Sequence, residues 1–302
     1  MSHVPPALSG APAPAPAAAR AARPSYEALR AFARNPGALI GLLLLAAILA
    51  VVLFGPLVMQ ADPFEIASAP MEPPGGELLL GSDYLGRDVL TGMIYGGRAT
   101  LLVGVVAAVL SMAIGITVGA LAGYYGGWVD ETLMRVTEFF QVLPALLFAM
   151  VLVTLFSPSL GTIAVAIGVV SWTATARLAR GEFLSLKRRE YVLAERVIGS
   201  SNARIIWRVI LPNALAPLIV SATLAIGTAI LFEAGLSFLG LGDPNVMSWG
   251  LMIGSNRPYI LTAWWAVTLP GAAIFLTVLA VSLIGDGLND ALNPKLASKR
   301  RS

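Results

Sequence analysis

The sequence predicts an all-α, polytopic membrane protein with six transmembrane helices. Three observations lead there. Charged residues make up 12% of the 302 positions and hydrophobic residues 57%, against roughly 25% and 45–50% in soluble domains. A chain so poor in charge cannot cover its surface in water, so a bilayer is its natural solvent. Six apolar segments run without one charged residue: 38–58, 99–122, 139–156, 160–176, 214–232 and 265–284. The basic residues, finally, crowd onto one side of the pattern those segments define.

In chain order, the opening stretch is rich in Ala and Pro and buries little, which predicts a disordered tail over 1–35. It is not a signal peptide, because the first apolar run begins only near Ala38 and no small-residue cleavage site follows it. The first span and an external segment occupy 36–98. A core of five further spans fills 99–285, interrupted by a basic loop at 177–212, and 286–302 form a C-terminal tail. A hydrocarbon core of about 30 Å needs about 20 helical residues, and each segment reaches or approaches that length. Helix is the conformation of choice, because an open strand in lipid leaves its backbone groups unpaired.

Charge sets the orientation. Arg20, Arg23, Arg30 and Arg34 precede the first span, and Arg135 follows the second. Arg177, Arg180, Lys187, Arg188, Arg189, Arg196, Arg204 and Arg208 follow the fourth, and Lys295, Lys299, Arg300 and Arg301 close the chain. Only Arg87, Arg98 and Arg257 lie on the other side. Basic excess marks the cytoplasmic face, so both termini are expected inside, with external segments at 59–98 and 233–264. This topology accounts for the basic pI of about 9.4 without nucleic acid.

The loop after the fourth span carries the strongest local signals. Each Arg or Lys at a bilayer centre costs about 2.5–3.5 kcal/mol, so a run of eight must be aqueous. Positions 183–198 read as a helix with apolar and charged faces. Gly199 suits a left-handed position at its end, and Ser200, Ser201 and Asn202 are candidate N-caps for a second helix over 203–211. Pro212 lacks a backbone donor and is expected to end that helix before the next span. An ordinary solvated loop, or one gripping anionic lipid, is the competing reading.

The stretch "AERVIGSSNARIIWRVILPNALAPLIV" resembles the Glu-Ala-Ala loop of ABC importer permeases. Ala194, Gly199, Leu211 and Pro212 fall on that pattern, while Leu193, Glu195 and Val209 stand where Glu, Ala and Ile are usual. The resemblance extends over nearly the whole chain after residue 30, to the dipeptide/oligopeptide permease family and its second permease subunit. It is carried by "RNPGALIGLLLLAAILAVVLFGPLV" (34–58), "LGSDYLGRDVLTGMIYGGRATLLVG" (80–104), "GYYGGWVDETLMRVTEFFQVLPALLFAMVLV" (123–153), "LSFLGLGDP" (236–244) with "SWGLMI" (248–253), and "IGDGLNDALNPK" (284–295).

The resemblance implies the type I importer permease fold and a place in the bacterial cytoplasmic membrane. It implies a second, related permease as partner, two ATPase subunits that bind ATP and Mg, and an external substrate-binding protein. The cargo would be dipeptides or oligopeptides, or nickel complexes, which family members also import. The loop would be a coupling helix seated on an ATPase, with Ala194, Glu195, Gly199, Ser200, Ser201, Arg204, Leu211 and Pro212 at the contact.

The residues fit this independently. No Gly-x-x-x-x-Gly-Lys-[Ser/Thr] occurs and no Lys follows a Gly, so the chain lacks that means of cradling ATP phosphates. The six apolar segments hold no ionisable residue, whereas a proton-coupled carrier normally places some there. A sodium-coupled secondary carrier remains the alternative from another class. A structural scaffold would leave the helix–Gly–helix arm unexplained. Enzyme readings lack parts: the one histidine is His3 and cysteines number zero, which removes a Ser–His pair and thiolate or His-rich metal sites. No metal or cofactor site is expected in this chain.

Further positions are candidates. Asp83, Arg87 and Asp88 read as a helix start with an Asp83–Arg87 pair, or as a contact with the binding protein. Glu233 reads as an interfacial residue or as a pathway residue that meets a peptide's amino group. The 233–264 segment is either re-entrant or interfacial, with Trp249, Trp264 and Trp265 at headgroup level. Asp130, Glu131 and Arg135, in "DETLMRVTE", read as a solvated turn or as a second contact with the ATPase.

Overall fold

The computed structural model describes residues 24–292. His3, Arg20, Arg23 and the basic residues from Lys295 onward lie outside the described residues. Helix α1 (Pro24–Ala33) is followed by α2 (Pro36–Val58), α3 (Val89–Tyr125), α4 (Gly127–Val142), α5 (Ala145–Phe156) and α6 (Leu160–Leu186). Then come α7 (Glu190–Val197), α8 (Asn202–Arg204), a π-helical stretch Ile205–Ile210, α9 (Leu211–Leu236), a second π stretch Ser237–Leu241, α10 (Trp249–Asn256) and α11 (Trp265–Leu292). Among the described residues five helices are long and apolar enough to cross a membrane, six if α4 and α5 form one bent span.

Polar residues at the boundaries explain where the helices start. Asn35 accepts from the amides of Gly37 and Ala38 with Pro36 in the first turn of α2, Asp88 caps α3, and Ser159 caps α6. Each satisfies donors that have no partner within the helix. The helices outrun the uncharged segments. α3 begins at Val89, so Arg98 lies within it and donates to the carbonyls of Val52 and Leu53 on α2. α1 occupies part of the tail expected to be loose over 1–35, and Phe32 reaches Gly287 on α11. α11 in turn passes 285 to Leu292, where Asp290 accepts from Asn35.

The third expected span, 139–156, is not one helix. It breaks between Val142 and Ala145, where α4 and α5 diverge by 86°. Pro144 lacks an amide and pushes Leu143 into extended backbone. The charged residues read as a solvated turn lie on α4 instead. Asp130 accepts two hydrogen bonds from Arg180, at 2.5 and 2.7 Å. Such a bidentate pair between elements is worth more than a lone surface pair. Asp130→Ala is expected to lower stability by about 1–3 kcal/mol, whereas Glu131→Ala, at an exposed position, is expected to leave the detergent melting curve in place.

Glycines let helices approach closely. Gly115, Gly119 and Gly123 line the face of α3 against α6, where they meet Trp172 and Thr175, then Ala176 and Ala179, then Arg180 and Phe183. This is the small-xxx-small arrangement of membrane helices, in which backbone approach replaces the hydrophobic driving force available in water. Gly104 meets Ile230 of α9, and Gly41 of α2 meets α11 at Ala280 and Leu283.

Residues 59–88, expected to be external, fold as a ledge over one end of the helices. Isolated bridges join Ile66 to Arg87 and Ser82 to Asp88. Trp249 and Trp265 are 2% and 5% exposed, and their indoles donate to the carbonyls of Met93 and Ser82. They are core residues rather than a headgroup girdle; of the three tryptophans only Trp264 is exposed. The 233–264 segment is anchored through α10, whose Trp249, Gly250 and Met252 are buried.

Candidate coupling site

The basic loop becomes an elbow between α6 and α9. The expected single helix over 183–198 is two, because α6 stops at Leu186. There Lys187 turns its ammonium onto the carbonyls of Gly123 and Tyr124, at 2.7 and 3.4 Å. It thereby caps the end of α3. Burial, and the charges of Arg188 and Arg196, hold the Lys187 ammonium below its ordinary pKa.

α7 ends in a Schellman turn. Gly199 has φ +81°, its amide donates to Arg196, and the Ser200 amide donates to Glu195. Only glycine takes that backbone without strain. Ser201, rather than Ser200 or Asn202, is the N-cap of the next helix, its hydroxyl accepting from the Arg204 amide at 3.3 Å. Ser200 instead donates to the Glu195 carboxylate, and Arg204 lies 4.0 Å from the same group. Glu195, Gly199, Ser200, Ser201 and Arg204 therefore gather at one bend, with exposed Ala194 on the preceding turn.

Leu211 and Pro212 are not part of the bend, and Pro212 does not end the helix. The helix that starts at Asn202 continues through Pro212 as far as the break at Gly240, where φ is +86°. Over Ile205–Ile210 it widens to π, with the Leu211 amide donating to Ile206. A π turn bonds five residues back rather than four, which admits a proline that would clash in a tighter coil. Val192, Ile205, Ile206 and Ile210 anchor the elbow in a core with Phe183, Ala179 and Leu218. Tyr124 donates to Asn202 at 2.7 Å, and the Arg196 guanidinium covers the Tyr124 ring at 5.3 Å. Sequence reasoning named Lys187 and Asp130 only as charges of the loop and of a turn, and it passed over Tyr124; the Gly-xxx-Gly-xxx-Gly run beside Tyr124 was the available signal.

The tip of the elbow is apolar and bare. Val197 is 87% exposed and Ile198 74%, although basic residues crowd the rest of the loop. Two neighbouring apolar side chains thus lie uncovered at the apex of the turn.

The other candidates fall elsewhere. Asp83 is buried and accepts from the amides of Leu85 and Arg87 at 2.8 and 2.9 Å. Its carboxylate serves the ledge's own fold, so the expected side-chain pair with Arg87 does not form. Arg87 lies over Phe64 instead, at 4.9 Å, and Asp88 caps α3. Glu233 is 1% exposed and enclosed by residues of this chain, so in this conformation its carboxylate is not open to cargo. Among the described residues no group of three or more His, Cys, Asp or Glu is placed to hold a metal.

Long apolar helices joined by a basic elbow describe a multi-pass membrane protein. Residues 115–298 match the family described as the binding-protein-dependent transport system inner membrane component, and 24–74 match the N-terminal TM domain of oligopeptide transport permease C. The chain belongs to this family of ABC importer permeases. It is 43% identical over 281 residues to the di/tripeptide transport system permease protein DppC of Pseudomonas aeruginosa, covering 90% of this chain and 93% of that one. To the dipeptide transport system permease protein DppC of Escherichia coli it is 44% identical over 281 residues, covering 90% and 94%. In fold it is similar to the inward-facing MetNI methionine ABC transporter, with TM-score 0.57, 20% identity and coverage of 67% of this chain and 96% of that one. It is thus a multi-pass inner-membrane transport subunit, and ATP hydrolysis belongs to separate ATPase subunits.

Proposed function

We propose that this chain forms half of the translocation pathway of an importer for dipeptides or short oligopeptides. The curated relatives at 40–44% identity are named for dipeptide or di/tripeptide transport, and that supports peptide cargo over nickel complexes. A second, related permease supplies the other half. Two ATPase subunits bind ATP and Mg, and an external binding protein delivers the cargo. Both termini are cytoplasmic, which the basic residues around the elbow and before the first span support.

The bare apolar tip at Val197 and Ile198 is the observation that carries the mechanical part of the reading. A water-facing turn with that tip is suited to a hydrophobic groove on an ATPase. Ala194, Glu195, Gly199, Ser200, Ser201 and Arg204 shape and surround the contact. Leu211 and Pro212 lie within the rod that carries the movement into the bilayer. At about 1.5 Å per residue, the helix from Asn202 to the break at Gly240 is about 55 Å long, enough to join the elbow to the outer face. ATPase closure would push the elbow, tilt the rod and switch the pathway from inward- to outward-open.

Uptake into vesicles holding the assembled complex tests this. ATP-dependent accumulation of labelled dipeptides is expected. Accumulation of nickel complexes in place of peptides would overturn the cargo, and uptake driven by a sodium gradient without ATP would overturn the class.

A further inference from the structure

The Glu233 carboxylate joins three helices at the outer face. Its Oε1 accepts from Ser237 on the following π stretch at 2.9 Å and from Ser248 at the start of α10 at 2.8 Å. Its Oε2 accepts from Thr100 of α3 at 3.4 Å. The partners are themselves committed: Thr100 accepts from the Trp249 amide at 3.1 Å, and Ser248 caps α10 by accepting from Leu251 at 3.0 Å. Glycines bring α10 this close. A Cβ on Gly250 would lie 2.8 Å from Ala234 and Ser237, and one on Gly254 would lie 2.6 Å from the Ser237 carbonyl.

Burying a carboxylate is costly, and a well-packed apolar residue often serves stability as well or better. What the carboxylate adds is a fixed register among α3, α9 and α10. α10 is in turn bound to the external ledge: Asn256, 1% exposed, accepts from the Tyr84 amide at 3.1 Å, and the Tyr84 and Tyr259 rings stack at 5.5 Å. Arg257 adds a hydrogen bond to the Phe238 carbonyl at 2.7 Å. The ledge therefore connects through α10 to Glu233, and Glu233 stands near the outer end of the rod that begins at the elbow.

We propose that Glu233 is a positioning residue that clamps α10 and the external ledge to the outer end of the α9 rod. Docking of the loaded binding protein on the outer face is thereby felt at the elbow. The inference rests on the coupling reading above, and it assigns Glu233 no contact with cargo.

The test uses the complete importer in nanodiscs, with ATPase activity measured with and without peptide-loaded binding protein. Glu233→Leu is expected to co-purify with its ATPases and keep basal hydrolysis near wild type. Its stimulation by the binding protein should fall about tenfold, within the usual range of coupling between sites. Glu233→Gln, which retains an acceptor for Ser237 and Ser248, should recover part of the stimulation. Thr100→Val and Ser248→Ala each remove one hydroxyl and should reduce it separately, so the result does not depend on Glu233→Leu folding. Thr100→Val combined with Glu233→Leu should add little to Glu233→Leu alone. Full stimulation in assembled Glu233→Leu, or in both hydroxyl variants, overturns the clamp while leaving the coupling reading intact. A wild-type complex that the binding protein fails to stimulate overturns both.

Discussion

A Gly119→Val chain is expected not to yield a folded permease. A Cβ at Gly119 would run into the Ala176 carbonyl and lie 2.7 Å from the Ala179 Cβ and 2.8 Å from the Arg180 amide. Two of those three neighbours are backbone atoms of α6, so no side chain can swing aside. Gly115 and Gly123 hold the same contact one turn away on either side, and the two helices cannot separate at one point only. Overpacking of a tight core costs about 1–3 kcal/mol and occasionally more, and the upper end applies where backbone must move. Spreading α3 from α6 also withdraws Lys187 from the carbonyls of Gly123 and Tyr124. The expected readout is loss of the monodisperse peak in detergent size-exclusion chromatography. Gly181→Ala, on the same helix α6 with nothing within 4 Å of the new Cβ, should match or slightly exceed wild-type stability by removing a helix glycine.

Gly199→Val is expected to fold normally and to abolish most transport. Nothing lies within 4 Å of a Cβ at Gly199, so packing is unaffected. The cost is in the backbone, because φ +81° is a strained conformation for a β-branched residue, by about 1–3 kcal/mol. The chain relieves that strain by opening the Schellman turn, which displaces Val197, Ile198 and the Ser201 cap together. If about 1.4 kcal/mol of it falls on docking, affinity for the ATPase drops about tenfold. The expected pattern is a wild-type melting curve with reduced ATPase co-purification and reduced ATP-driven uptake. Gly199→Asn should be milder, since asparagine tolerates left-handed backbone.

Much of this architecture is legible in the residues because the bilayer makes a blunt demand. Uncharged runs of sufficient length must be helices there, and Gly199 between a basic helix and a serine pair marks its own turn. What the residues concealed was set by tertiary packing. Leu143–Pro144 lies inside an uncharged run, and only the structure reveals the 86° bend. Pro212 looked like a terminator because α-helical geometry was assumed; the π stretch Ile205–Ile210 carries the helix through. Asp83 and Asp88 looked available for a partner, yet each satisfies backbone amides that would otherwise be left unpaired. Glu233 looked like a lone charge at a membrane edge, because its partners come from Thr100, 133 positions earlier, and Ser248, 15 positions later. Hydroxyls so distant in sequence leave no local pattern.

The absence of native cysteine makes a direct test available. A single cysteine at Val197 can be probed with a membrane-impermeant maleimide, and for crosslinking to the ATPase subunits, in sealed vesicles of both orientations. Reaction only from the cytoplasmic side, suppressed when the ATPases are bound, with a crosslink to an ATPase, is the predicted result. Modification from the external side, or cytoplasmic modification indifferent to the ATPases, would contradict a drive delivered through this turn.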